Sequence, residues 1–355
     1  LQDNHAQSIK KQVEMEITEG NILGAVVMAG TPDEILYFKA FGERDTGKAM
    51  HKNCIFDVSS VTKPSTVGTA LAILLDQGKI RLDDKLKDHL PAFTAAGSEE
   101  ITIRQTATHT SGIDNTKQIQ KKHKGEALMK AILEYDTLWA PGTRYHYSCL
   151  GFIRLGEMIA NVTGQPFDSF CEQHIFEPLD MKNTQFGPLE NKDKLKRMAK
   201  TTASLGQIQD PNMRSLGRPG GNSGMFTTAE DLSKLASMWL QKGYYNKRHF
   251  FSENTWKMMT SRQTNLASRG ITWSIVDHSF APENLSTNTF YHTGYNGHAL
   301  WIDPDKNLYV IVLTVWKHPD IKASAEEGRQ ARVRITRAVV DYVFNENDDL
   351  NISNQ

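Results

Sequence analysis

Phe56-Asp57-Val58-Ser59-Ser60-Val61-Thr62-Lys63 is the stretch on which the reading of this chain turns. It leads into an apolar segment, residues 62–78, that predicts a helix ending at Gly78. Positions three apart share one helix face, with Cβ atoms about 5–6 Å apart. Ser60 in the first turn and Lys63 one turn along can therefore meet. A serine hydroxyl is a poor nucleophile until a base takes its proton. A lysine withdrawn from water can be that base, because burial disfavours its charged form. The helix start adds backbone N–H groups and the positive end of the helix dipole, which suit a developing oxyanion. Ser8 and Lys11 repeat the spacing, but in a polar stretch with no apolar helix behind it.

On either side of this stretch the chain is organised symmetrically. Residues 6–19 carry Ile9, Val13 and Ile17 at a spacing of four, which predicts a surface helix. Residues 22–29 and 35–41 read as strands joined by a turn at Gly30, Pro32 and Asp33. At the far end, 270–276, 299–302 and 308–315 read as strands, with a turn at 303–307. A last helix aligns Ile335, Ala338, Val339, Tyr342 and Val343 on one face. Between the two ends, 150–163 and 229–241 are helical, the latter with Thr228 and Asp231 resembling a capping box. The polar, glycine-rich 183–224 predicts long loops, with Gly217, Gly220, Gly221 and Gly224 as a flexible turn. The fold class is thus α/β of the α+β kind. One antiparallel sheet, flanked by terminal helices, is built from residues 1–62 and 265–355. A mostly helical lobe, 63–264, inserts between them, and clefts between such lobes are common ligand sites.

The chain has 355 residues, with 41 Lys plus Arg and 41 Asp plus Glu, so a basic surface for nucleic acid or anionic membrane is not indicated. A composition of 39% hydrophobic and 23% charged residues is that of a folded soluble protein rather than a disordered one. Cys54, Cys149 and Cys171 are too few for a disulfide framework. No apolar run approaches the ~20 residues that span a bilayer. The chain begins at Leu1 with no visible signal peptide, as a processed chain would.

No H-E-x-x-H, C-x-x-C, Walker A or G-x-S-x-G pattern occurs, so neither a metal nor another cofactor is expected. Two further elements accompany Ser60. Tyr145-His146-Tyr147-Ser148-Cys149 follows the turn Pro141-Gly142-Thr143 and precedes a helix, where a tyrosine can face a cleft. His292-Thr293-Gly294 precedes the strand at 297–302, and small residues on an edge strand let a substrate backbone approach.

Taken in order, these pieces resemble the serine β-lactamase and penicillin-binding protein superfamily, specifically its class C β-lactamase, DD-peptidase and family VIII esterase branch. The likeness adds Gly78-Lys79-Ile80-Arg81-Leu82-Asp83-Asp84, Thr108-His109-Thr110-Ser111-Gly112-Ile113, Ile175-Phe176-Glu177-Pro178-Leu179 and Gly224-Met225-Phe226-Thr227-Thr228-Ala229-Glu230-Asp231-Leu232. Ser60 and Tyr147 lie 87 residues apart, and Tyr147 and His292 lie 145 apart, which fits the superfamily's spacing. The resemblance implies a β-lactamase/transpeptidase-like fold. It also implies Ser60 as the acylated nucleophile, Lys63 and Tyr147 in proton transfer, and an oxyanion hole from the backbone N–H groups of Ser60 and Tyr295. His292, Thr293 and Gly294 would line the substrate site, with Thr293 helping to hold a substrate carboxylate.

Two positions depart from the pattern. Cys149 stands where the superfamily's Tyr-x-Asn motif has asparagine, and a thiol is a weak donor and acceptor. His292 stands where class C β-lactamases have lysine, and its charge is expected to change between pH 5 and 8. These departures favour DD-carboxypeptidase-like or esterase-like hydrolysis of a small amide, peptide or ester over class C-type β-lactamase activity. A non-catalytic sensor that kept the fold is the competing class, and redox control through Cys149 is a third reading. The resemblance also suggests a periplasmic or other extracytoplasmic location, with cytoplasmic esterases as the alternative.

Overall fold

The computed structural model describes residues 2–113, 118–278 and 280–352. Its main sheet has seven strands: β1 (Gly24–Gly30), β2 (Ile35–Asp45), β3 (Lys48–Ala49), β4 (Ser274–Ile275), β5 (Phe290–Thr293), β6 (Ala299–Asp303) and β7 (Leu308–Thr314). They lie in the order β3-β2-β1-β7-β6-β5-β4, all antiparallel. The two chain ends meet at the centre, where β1 pairs β7 with Val27 opposite Val312.

Every residue of β1 and of β7 is buried, because both faces of the sheet are covered. Successive side chains point to opposite faces. Ala25, Val27 and Ala29 therefore pack with Ile9, Val13, Ile335 and Val339 of the terminal helices α1 (Gln2–Thr18) and α5 (Ala325–Ile352). Val26 and Met28 face the other way, into the larger core that includes Leu71, Leu232 and Trp239. A bidentate pair ties the terminal helices together: Arg334 donates from Nε (2.6 Å) and Nη2 (2.7 Å) to the buried Glu16 carboxylate.

The segment after Ser60 is helical but not uniformly so. A 3₁₀ turn, Ser59–Val61, passes into a π-type turn, Lys63–Gly68, and then into regular helix α2 (Thr69–Asp76), with Gly78 at φ 65° closing it. Pro64 has no N–H to give, and the hydroxyls of Ser65 and Thr66 bond back to the carbonyls of Val61 and Thr62, both at 2.7 Å. These side-chain bonds compete with the ordinary ladder and widen the turn. Helices α3 (Cys149–Thr163) and α4 (Ala229–Leu240) fall where the sequence predicts them. Only half of the capping box forms before α4. Thr228 Oγ1 accepts from the Asp231 N–H at 3.2 Å, but the Asp231 carboxylate turns instead to the Asn183 N–H (2.7 Å) and the Thr184 hydroxyl (3.0 Å).

Two sequence expectations fail. Residues 183–224 are not all loop: they hold the short strand Gln185–Phe186 and the helices Lys192–Arg197 and Pro211–Leu216. Six-residue helices are too short for an apolar period, and only their caps, such as Asp210 before Pro211, announce them. At the far end, only Ser274–Ile275 of 270–276 is strand, and Phe290–Thr293 forms a strand the sequence did not mark. Four residues carry no readable periodicity; pairing from Phe290↔Ile302 to Thr293↔Ala299 makes them a strand.

Candidate functional site

The turn carrying Ser60 is held from several sides. Val58 N–H donates to the Met225 carbonyl at 3.1 Å, within a small sheet where Asp57 lies opposite Phe226. The buried Asp57 carboxylate accepts from the N–H groups of Ser59 (2.9 Å) and Gln209 (2.7 Å), fixing Ser59 at φ 50°. Burial pushes the Asp57 carboxyl up to about 6. Its main-chain carbonyl accepts from Asn296 Nδ2 (3.0 Å) and His298 Nε2 (2.9 Å), so the turn after β5 is tied to the turn bearing Ser60. Gly294 is required at this junction, since a Cβ there would lie 2.6 Å from the Val58 carbonyl.

Lys63 is fully buried, and its Nζ lies 3.1 Å from Ser60 Oγ. Nζ also donates to the Asn222 side-chain Oδ1 (2.7 Å) and main-chain O (2.9 Å), and lies 3.7 Å from Cys149 Sγ. The Tyr147 ring centroid is 5.0 Å away. Burial acts to lower the amine's pKa, but the neighbouring Cys149 and Tyr147, with a hydrogen bond to Tyr147, outweigh it and the net direction is up.

Tyr147 is set by His109, which stacks on it with centroids 4.3 Å apart. His109 Nδ1 accepts from the Ser148 N–H at 3.0 Å, which assigns the ring proton to Nε2. Burial, with the charges of Arg269 and Lys63, holds His109 well below the usual histidine range.

The sequence-predicted residues Ser60, Tyr147, His292, Thr293, Gly294 and Tyr295 line one cavity of about 560 Å³. Lys63 and Cys149 stand behind Ser60. A larger cavity, about 730 Å³ near Lys242, Trp256 and Asp277, holds none of this chemistry. Ser8 and Lys11 are exposed on α1 and line neither cavity.

Two expectations are corrected here. His292 is not on an edge strand: it lies on β5, between β6 and β4, although the pairing with β4 stops at Tyr291↔Ser274. Nor is it poised to switch charge. Burial, with the charges of Arg269 and Lys63, holds it well below the usual histidine range and so favours the neutral ring. Its Nδ1 donates to the Thr293 carbonyl at 2.9 Å.

Sequence reasoning missed Asn222, Arg269 and Arg332. The glycine cluster is no flexible turn. Gly221 packs so tightly on α3 that a Cβ would sit 2.3 Å from the Phe152 carbonyl, and this contact sets Asn222 against Lys63. The pair Gly220-Gly221 was the readable signal. Arg269 supplies cationic charge to the cavity that neutral His292 does not. Arg332, nine-tenths buried, donates from Nη1 to the carbonyls of Gly294 (3.0 Å) and His298 (3.3 Å) and pins the turn bearing Tyr295. Neither arginine lies in a recognisable pattern.

A hydroxyl held against a buried amine, with a phenol beside them at the edge of a cleft, is the equipment of a serine hydrolase. The chain belongs to the beta-lactamase family, whose model matches residues 6–333. It is 27% identical over 394 residues to an N-acetylmuramyl-L-alanine amidase of Bacillus subtilis strain 168, covering 95% of this chain and 88% of the relative. It is 26% identical over 367 residues to a protein of Escherichia coli K12 provisionally named D-alanyl-D-alanine carboxypeptidase, covering 88% and 84%. The solved structure of a family VIII carboxylesterase superimposes with a TM-score of 0.76 at 16% identity, covering 95% of this chain and 97% of that one. The β-lactamase/transpeptidase-like fold expected from sequence is the fold observed.

Proposed function

We propose that this protein hydrolyses a small amide, peptide or ester through an acyl-enzyme on Ser60, as a DD-carboxypeptidase-like or esterase-like enzyme. The observation that carries this reading is the 3.1 Å approach of Lys63 Nζ to Ser60 Oγ with the lysine fully buried. A buried amine with no carboxylate ion pair among the described residues is costly to hold, and buried titratable groups set against a nucleophile concentrate at functional sites. Ser60 Oγ attacks the substrate carbonyl while its proton passes to the Lys63–Tyr147 pair. The N–H groups of Ser60 and Tyr295 donate to the oxyanion. The same pair returns a proton to the leaving group, and water then releases the acyl group. Thr293, with Arg269, faces a substrate carboxylate; Cys149 supports Lys63 in place of an asparagine. In this reading residues 1–62 with 265–355, and 63–264, form the two lobes of one catalytic unit. Its work is placed outside the cytoplasm, in keeping with the cell-wall reactions for which the bacterial relatives are named. No helix among the described residues is long and apolar enough to cross a membrane.

The test is a panel of a short-chain nitrophenyl ester, a D-Ala-D-Ala peptide and nitrocefin, assayed with the protein and Ser60→Ala. Intact mass follows the acyl-enzyme. Turnover of the ester or peptide that disappears with Ser60 is expected; equal rates in both proteins on every substrate would sink the mechanism.

A further inference from the structure

We infer that Asn222 is a positioning residue that holds Lys63 Nζ in the one rotation able to exchange a proton with Ser60. This inference rests on the acyl-enzyme reading above. An amine nitrogen has four tetrahedral directions, one of which is taken by its own carbon. Asn222 occupies two of the remaining three, through Oδ1 at 2.7 Å and its main-chain O at 2.9 Å. Both contacts are shorter than those to Ser60 Oγ (3.1 Å) and Cys149 Sγ (3.7 Å). The direction left over, a third N–H in the ammonium or the lone pair in the neutral amine, is turned to the side where Ser60 and Tyr147 stand. Without the Asn222 side chain only the main-chain O of residue 222 would remain of these two acceptors, and the group could turn about that bond and move the third direction away from Ser60.

Asn222 suits this task. It is fully buried, so water does not compete for its oxygens. The neighbouring Gly221 is locked against the Phe152 carbonyl, so its backbone cannot drift. As a neutral amide it accepts from nitrogen without the carboxylate charge that would hold the proton on Lys63. Its Nδ2 has no partner among the described residues, so the contact to Lys63 is the side chain's only hydrogen bond among them. The thiol of Cys149, a weak acceptor, could not fix the amine in the same way.

The experiment measures the second-order rate at which an alkyl fluorophosphonate labels Ser60 between pH 5 and 10, with hydrolysis of the substrate panel followed alongside. In labelling, an Oγ–P bond forms, the P–F bond breaks, fluoride leaves and the hydroxyl proton goes to the Lys63–Tyr147 pair. Asn222→Ala is expected to slow labelling about 100-fold at pH 7.5, the scale of a misplaced catalytic group. Asn222→Asp, equal in size, is expected to move the rising limb of the rate–pH profile upward by about one unit or more, because the carboxylate stabilises the ammonium. Thermal melts establish that each variant is folded; should the alanine variant fail to fold, the aspartate profile decides. A folded alanine variant labelled at the wild-type rate, or an aspartate profile that superimposes on the wild type, overturns the inference. Wild-type labelling at Ser60 without turnover of any substrate instead defeats the proposed hydrolase and leaves the role of Asn222 standing.

Discussion

Arg269 Nη2 donates to the Tyr145 hydroxyl at 2.7 Å, and this bond holds the guanidinium 5.8 Å from the Tyr147 ring centroid at the cavity wall. With His292 neutral, Arg269 provides positive charge beside Thr293. A charged hydrogen bond to a substrate contributes about 1.5–3 kcal/mol. Arg269→Met should therefore raise KM for carboxylate-bearing substrates about 10-fold or more and leave a neutral nitrophenyl ester nearly unchanged. Steady-state kinetics on both kinds of substrate check this; equal losses would assign Arg269 a purely structural part.

Lys63→Ala removes the amine that faces Ser60 Oγ. Loss of a positioned acid–base group costs about 10²–10⁴-fold. Acylation followed by intact mass should slow by that factor while KM moves little. A variant that still acylates at the wild-type rate would shift the base entirely to another group.

His109→Phe keeps a ring against Tyr147 but removes the acceptor of the Ser148 N–H, which is buried. An orphaned buried donor costs about 1–3 kcal/mol. Urea denaturation should show a loss in this range, and kcat should fall more than KM changes because the backbone beside Tyr147 loses its anchor. Unchanged stability would mean that the Ser148 N–H finds another acceptor.

Gly221→Ala puts a methyl 2.3 Å from the Phe152 carbonyl and 2.5 Å from Val67 Cγ2. Backbone cannot yield as a flexible side chain can, and overpacking of this kind costs about 1–3 kcal/mol. The variant should melt earlier and lose activity beyond what its folded fraction explains, since Asn222 moves with residue 221. A fully active variant would show that the segment has slack.

Stability should fall between pH 7.5 and 5. The His298 pKa is lowered to about 3 by burial, so the unfolded chain takes up a proton as pH drops below the usual histidine value and the folded chain does not. By linkage this costs about 2 kcal/mol at pH 5. His109 and His292, also lowered by burial, act in the same direction. Asp57 opposes them. With its carboxyl raised to about 6, the folded state binds a proton first, which adds about 1 kcal/mol of stability at pH 5 that is lost as pH rises through 6. The histidines outweigh it. Denaturant midpoints at the two pH values measure the balance, and His298→Asn should flatten the profile.

Much of this was written in local pattern. Apolar runs at 22–29 and 308–315 announced strands, which the structure buries on both faces, and the terminal helices declared themselves by their stripes. The spacing of Ser60 and Lys63 announced their meeting, because a helical turn brings positions three apart together whatever surrounds it. Strand β5 was not legible: four residues have no period, and only the neighbouring β6 makes them a strand.

The sequence alone thus determined many of the local elements, the fold class and the order of Ser60, Lys63, Tyr147 and His292-Thr293-Gly294 along the chain. Tertiary structure alone decided what surrounds them. It set the Asn222 oxygens on Lys63 across 159 residues of chain, kept His292 neutral by burying it near Arg269, and tied the Ser60 turn to the β5 turn through the carbonyl of Asp57. Short-range geometry follows from backbone periodicity, which any segment carries in its own residues. Electrostatics and hydrogen bonding depend on distance in space and on exclusion of water, and only the folded chain fixes those.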